Sequence, residues 1–182
     1  MARQAGLDWS DAALSTRVLT GEEIAFCAEM IALELPDRAA LRIVAPQIVF
    51  DERVELRLGG VTLTVEHVGG DHAADSVVIH VEEDRLLFLG DCLYQRLYAE
   101  DPHLTVAGIR GLVRRIRAFD ALRAIEGHGD ILHDADGLAA RLDELDAAAD
   151  LVERDGASSL ASARSDDERE LLGFLVAGLA VN

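Results

Sequence analysis

Three short segments of the sequence combine a possible metal ligand with neighbouring glycines, where an apolar run meets a loop. They are Gly69-Gly70-Asp71-His72, Gly90-Asp91 and Gly127-His128-Gly129. Imidazole and carboxylate groups are common ligands of zinc and similar divalent cations. Side chains at strand ends along one sheet edge can converge, and glycine lets the backbone turn sharply beside them. The pattern therefore predicts a metal site formed by His72, Asp91 and His128.

Each of these segments also has a structural interpretation when taken singly. A histidine beside glycine is an ordinary turn residue, and Gly-Asp is a common turn dipeptide. Asp71 could orient the His72 imidazole through its N–H group, although turn formation explains it equally simply. His67 is expected to be structural, with support of the site as the alternative. His133 could line a substrate cleft or serve as a polar residue at the start of a helix.

The elements that must position these residues begin with a region of period two. Residues 54–58 and 61–65 alternate between apolar and polar, and Gly59-Gly60 lies between them. Two alternating runs joined by glycines predict a β-hairpin, because both glycines can adopt the positive φ of a tight turn. A second pair of strand-like runs follows at 76–81 and 85–89.

Helices are predicted on both sides of this region. Thr20-x-x-Glu23 has the form of a capping box and predicts a helix over residues 21–34, preceded by a short helix over 10–18. After residue 76 the strands alternate with helices, which indicates an α/β protein. The later predicted elements are a helix at 105–118, a strand at 122–125, a helix at 136–153 and a helix from Ser165-x-x-Glu168 to about Leu179.

The charge of the chain limits its partners. All 17 basic residues are arginines, and the net charge of -17 would repel nucleic acid and anionic membrane surfaces. No apolar run reaches the length of a membrane span, so a cytoplasmic protein is expected, with Cys27 and Cys92 as buried, reduced thiols. Arg110, Arg114 and Arg117 share one helical face and are expected to pair with nearby carboxylates; a clamp for an anionic substrate is the alternative.

The segments GGVTLTVEHVGGDHAADSVVIHVEEDRLLFLGDCLY and IEGHGDILHD resemble motifs of the metallo-β-lactamase-like hydrolase superfamily, over about residues 48–145. In this resemblance His72 matches the third histidine of the first metal site. Asp91 matches the aspartate that bridges both metals and has the catalytic role, and His128 matches the terminal histidine of the second site. The resemblance implies two cations, usually zinc, although iron or manganese accept the same ligands.

One motif of that superfamily is absent. The H-x-H-x-D-H sequence has no counterpart, because the first histidine of the chain is His67. Residues 1–35 resemble the helical segment that follows the motif. We therefore expect an α/β fold of the αββα-sandwich type that is incomplete at its N-terminal part. It would form one domain over 1–182, with a helical segment at 1–36, a core at 48–145 and C-terminal helices at 146–182.

Two functions follow as hypotheses. The first is a metal-dependent hydrolase of an ester, thioester or lactam-like small molecule, in which a metal-bound hydroxide is the nucleophile. Its activity should be impaired, with one zinc ion or none, because half of the ligands are missing. The alternative is a non-catalytic scaffold that forms homo-oligomers through an uncovered sheet face. A nucleic-acid-processing enzyme would fit the superfamily but not the charge.

Overall fold

The computed structural model describes residues 6–38, 41–44, 46–96, 102–128 and 132–181. The chain divides into two compact units, Met1–Val49 and Phe50–Asn182. Among the described helices, none is long and apolar enough to cross a membrane.

The described part of the first unit contains two helices, α1 (Asp11–Leu19) and α2 (Ala25–Glu34). The Ser10 hydroxyl accepts a hydrogen bond from the Ala13 N–H and caps α1, which confirms the short helix predicted at 10–18. No residue within α2 is buried, and Cys27 is half-buried rather than buried as expected.

The capping box predicted at Thr20 and Glu23 is wrong. Thr20 is the C-terminal cap of α1, and its hydroxyl donates to the Arg17 carbonyl oxygen. Gly21 then adopts a φ of 73°, which ends α1 in the left-handed region that favours glycine. The N-terminal cap of α2 is Ile24, which makes no side-chain capping bond. These residues therefore close one helix instead of opening the next.

The second unit is a sheet with helices, which confirms the α/β class. Its elements are β1 (Arg53–Arg57), β2 (Thr62–His67), β3 (Val77–Val81), β4 (Leu86–Gly90), α3 (Val106–Arg117), β5 (Arg123–Glu126), β6 (Leu132–Asp134), α4 (Ala135–Asp155), a 3-10 helix (Gly156–Ser162) and α5 (Asp166–Gly178). The six described strands lie in the sheet in chain order. Four of these strand pairs are antiparallel, and β4 pairs with β5 in parallel through the connection that contains α3.

Both predicted hairpins are present. Gly59 and Gly60 adopt φ values of 72° and 123° between β1 and β2, which only glycine adopts readily. The second hairpin, β3–β4, turns through residues 82–85.

The two faces of the sheet differ. On one face Val78, Leu87, Leu89 and Ala124 are buried and belong to one core cluster with side chains of α3, α4 and α5. On the other face an in-register row of apolar side chains crosses all six strands and contains no buried residue. This apolar row consists of Val54, Val65, Ile79, Phe88, Ile125 and Leu132. Phe88 is 39% exposed and Leu132 is 60% exposed.

Two of the three arginines predicted to share one face of α3, Arg110 and Arg117, pair with acidic side chains of α4, as expected for a solvated helix face. The pairs are Arg110 with Asp150 and Glu153, and Arg117 with Asp143 and Asp146, all at 2.6–2.7 Å. These arginines are therefore engaged in contacts between the two helices.

Candidate metal centre

The three predicted ligands lie at one edge of the sheet. His72 is in the loop after β2, Asp91 follows β4 directly, and His128 comes two residues after β5. Because β2, β4 and β5 run in the same direction, their carboxyl ends share this edge. The topology thus brings together residues that are far apart in the chain.

Both imidazoles face the same carboxylate oxygen. His72 Nε2 lies 3.6 Å from Asp91 Oδ2, and His128 Nε2 lies 3.4 Å from that oxygen. Two ligands of one tetrahedral zinc ion are about 3.3 Å apart, given bonds of about 2.0–2.1 Å. Each histidine–aspartate pair therefore has the separation of two ligands that share a cation.

The chemistry of these donors fits a divalent cation, but not as one three-ligand cage. Within the described residues, no group of three or more His, Cys, Asp or Glu side chains is arranged to hold a metal ion. The trio is instead two pairs that share Asp91. Such an arrangement suits a bridging carboxylate between two ions, and the ligand roles themselves stay a prediction.

The tautomer of His72 is set by a backbone group. Its Nδ1 lies 3.1 Å from the carbonyl oxygen of Gln95. Because a carbonyl oxygen can only accept, Nδ1 carries the hydrogen, and the Nε2 lone pair is left facing Asp91. Gln95 thus has the orienting role that we considered for Asp71.

Asp71 instead fastens the loop that carries His72 to the start of α3. Its carboxylate accepts hydrogen bonds from the Thr105 N–H at 2.7 Å and from the Thr105 hydroxyl at 3.0 Å. The Thr105 hydroxyl in turn accepts from the Gly108 N–H and caps α3. The same loop is tied at its base by His67, whose Nε2 donates to the Ala74 carbonyl oxygen at 2.7 Å.

Glycines at the sheet edge leave room for the Asp91 carboxylate. Gly127 donates its N–H to the Gly90 carbonyl oxygen at 2.8 Å, and Gly90 has a φ of 54°. A Cβ atom on Gly127 would collide with Asp91 Oδ1 and lie 2.9 Å from the Gly90 carbonyl carbon. The two glycines therefore permit a close approach of β4 and β5 beside the carboxylate.

The carboxylate at the end of β5 is buried. Glu126 is 5% exposed, and one of its oxygens accepts from His133 Nε2 at 2.7 Å. Arg141 Nε lies 3.9 Å from the same oxygen. His133, predicted to line a cleft or begin a helix, thus contacts Glu126.

The ring of Tyr94 lies beside that of His128. Its ring centroid is 5.6 Å from that of His128. Burial, followed by a hydrogen bond to Glu126, raises the pKa of Tyr94 to about 12, while a hydrogen bond from the His128 backbone opposes this shift. Burial and the Glu126 charge likewise raise the pKa of Cys92 to about 12, so that this core residue, as predicted, remains a neutral thiol.

The sequence interpretation missed Gln95, Tyr94 and Glu126. Gln95 acts through its backbone carbonyl and leaves no side-chain signal. Glu126 did leave a signal in the sequence, because it ends the short strand β5. A carboxylate that is buried at such a position needs polar partners.

No family model and no curated protein matches the chain. Similar solved structures include a metallo-β-lactamase from Pontibacter korlensis, with 25% identity, a TM-score of 0.44 and coverage of 64% of this chain and 55% of that one. A flavodiiron protein from Giardia intestinalis matches with 18% identity, a TM-score of 0.45 and coverage of 67% and 34%. The chemotaxis sensor ODP, described as a peroxy diiron species, matches with 15% identity, a TM-score of 0.45 and coverage of 64% and 56%.

The chain is similar to metallo-β-lactamases and to diiron proteins. The chain spans about half the length of the matched metallo-β-lactamase.

Proposed function

We propose that the chain carries a metallo-β-lactamase-like metal site. His72 and Asp91 would hold one divalent cation, and Asp91 and His128 would hold a second. The observation that supports this proposal most directly is that two imidazole Nε2 atoms lie within 3.6 Å of one Asp91 oxygen. Zinc is the cation we favour, and iron or manganese suit the same ligands.

The reaction that we propose is hydrolysis of a small ester, thioester or lactam-like molecule. Bound cations would supply Lewis acidity toward water and the acyl group. His72 is prepared for such a site because Gln95 fixes its tautomer, and Asp91 because the space beside Gly127 admits its carboxylate. Three protein ligands are fewer than two tetrahedral ions need, so we expect weak cation affinity and slow hydrolysis.

Cobalt and zinc titrations of the purified protein test the ligand assignment. Asp91→Ala should abolish binding of both ions, whereas His72→Ala and His128→Ala should each remove one, because only Asp91 belongs to both pairs. His80→Ala is the matched control, since His80 lies on β3 against Phe119, and it should bind as the unaltered protein does. Equal metal content in all four variants and the unaltered protein would refute the site.

A second candidate function is association of two copies through the apolar row. A second copy packed face to face would supply the other sheet of an αββα sandwich. The six residues of the row are uncharged, and the charged pair Arg123 and Asp134 lies on the same face at the edge of the sheet. Six strands of about five residues cover about 29 Å by 17 Å, or about 490 Å². Since stable interfaces bury about 800 Å² per partner, we propose a weak, concentration-dependent dimer. The compartment that we propose is the cytoplasm, where a reduced thiol such as that of the buried Cys92 would persist.

A further inference from the structure

We propose that Thr105 and Gly108, at the start of α3, are positioning residues for His72. They act through Asp71, the chain neighbour of His72, which they hold against the helix. The inference rests on the proposed metal site only where it concerns cation affinity. Its structural part concerns the orientation of the His72 imidazole in the metal-free protein.

The Asp71 carboxylate lies over the start of α3, in a space that only glycine leaves open. Its Oδ2 accepts from the Thr105 N–H at 2.7 Å, and its Oδ1 accepts from the Thr105 hydroxyl at 3.0 Å. A Cβ atom on Gly108 would lie 2.5 Å from Asp71 Oδ2 and 2.7 Å from Thr105 Oγ1. Glycine is a poor helix former, and here its missing side chain is what admits the carboxylate.

The loop between β2 and β3 transmits the position of Asp71 to His72. The two ends of this loop are bonded to each other, because the N–H groups of Val68 and Gly69 donate to the Ser76 carbonyl oxygen at 2.9 Å and 3.1 Å. A displacement of Asp71 therefore cannot be absorbed at the base of the loop. Since His72 is the next residue in the chain, it moves with Asp71.

The His72 imidazole meets a second fixed group, the carbonyl oxygen of Gln95, at 3.1 Å from its Nδ1. This distance is near the upper limit of about 3.2 Å for a normal N–H···O bond, so a shift of about 0.5 Å breaks it. A methyl group on Gly108 demands a shift of about that size to reach an ordinary contact with Asp71. Without the Gln95 bond, the hydrogen can move to Nε2, the nitrogen that faces Asp91.

The variant Gly108→Ala adds one methyl group and leaves every polar group in place. In the metal-free protein in alkaline buffer, where histidine is neutral, nitrogen-15 NMR of the imidazoles reports the tautomer. His72 should carry its hydrogen on Nδ1 in the unaltered protein. In Gly108→Ala the ratio of tautomers should shift about fivefold or more toward the Nε2–H form, the size expected for the loss of one hydrogen bond.

Cobalt affinity gives the second measurement. It should fall about tenfold or more in Gly108→Ala, as when the support behind a metal ligand is lost. Gly111→Ala is the matched control, because it lies on the same helix and its Cβ would meet nothing within 4 Å. This control should keep both the His72 tautomer and the cobalt affinity of the unaltered protein.

Variants of Thr105 test the same contacts without adding volume. Thr105→Ser keeps the hydroxyl and the N–H and should match the unaltered protein, whereas Thr105→Val loses the hydroxyl and should shift the tautomer in the same direction as Gly108→Ala. If Gly108→Ala does not fold, Thr105→Val decides. An unchanged His72 tautomer, or an Nε2–H form already present in the unaltered protein, would overturn the inference. A tautomer shift in a protein that binds no cobalt would refute the proposed function and support the inference.

Discussion

Gly127 shows how a residue without a side chain can define a site. It contributes no ligand, yet the space beside its Cα is filled by the carboxylate of Asp91. Any larger residue would require either the carboxylate or the Gly90 backbone to move. The position of Asp91, to which both histidines turn, therefore depends on a residue with no functional group.

We expect Gly127→Ala to weaken cobalt binding at least about tenfold, because the new methyl group displaces Asp91. Overpacking should also lower the free energy of unfolding by about 1–3 kcal/mol. Isothermal titration and urea denaturation measure the two effects.

The control is Gly111→Ala, on α3, where a Cβ meets nothing within 4 Å. This variant should be as stable as the unaltered protein or up to about 1 kcal/mol more stable, since alanine favours helix. If both variants bind cobalt alike, Gly127 has no influence on Asp91.

The sequence allowed us to predict which side chains converge at the sheet edge. It did not allow us to predict which backbone groups orient them. The convergence of His72, Asp91 and His128 follows from their residue types and from the strand ends that precede them. Gln95 orients His72 through a carbonyl group that every residue possesses, so no sequence pattern could single it out. The sequence pattern singled out the three residues that converge and missed the groups that hold them in place.

Among the elements, the loop before β3 depends on the N-terminus of α3. Asp71 accepts two hydrogen bonds from Thr105, and Thr105 also caps the helix. The carboxylate lies at the positive end of the helix dipole, which adds to its stabilisation. The position of His72 is thus linked to the first turn of α3.

Asp71→Ala should lower the free energy of unfolding by about 1–3 kcal/mol, because the Thr105 N–H loses a charged acceptor. Asp75→Ala, in the same loop at an exposed position, should change it by less than about 0.5 kcal/mol. Urea denaturation of both variants gives the comparison. Equal midpoints would show that the Asp71 contacts contribute nothing to stability.

The same capping motif occurs twice in the sequence, and only one of the two copies begins a helix. Ser165-x-x-Glu168 does begin a helix, and the Ser165 hydroxyl accepts from the Glu168 N–H at 3.1 Å. At Thr20-x-x-Glu23 the preceding helix is still present, and Gly21 turns the chain immediately after it. A local motif predicts an element boundary, but its neighbours decide which helix it bounds.

Over the whole molecule, the apolar row and the net charge of -17 act against each other. The row favours contact between two copies, while the like charges oppose their approach. Salt screens the repulsion and leaves the apolar contact intact. Association should therefore strengthen as ionic strength rises.

Sedimentation velocity over a range of concentrations tests the dimer. We expect a monomer–dimer equilibrium that shifts toward dimer at high salt, and Phe88→Glu should abolish it by placing a charge in the row. The control Leu179→Glu alters a comparably exposed apolar residue at the end of α5 and should leave the equilibrium unchanged. A monomer at every concentration and salt level would contradict the dimer.

The order of strands in the sheet also has a kinetic consequence. From β1 to β4 each strand pairs with its immediate predecessor across a connection of four to nine residues, and such local contacts form early during folding. The parallel pairing of Phe88 with Ile125 must wait for the crossover through α3. His72 and Asp91 belong to the early part and His128 to the late one, so the centre is completed only as the last strands join the sheet. Binding at the finished centre would consequently slow unfolding and have little effect on the rate of folding.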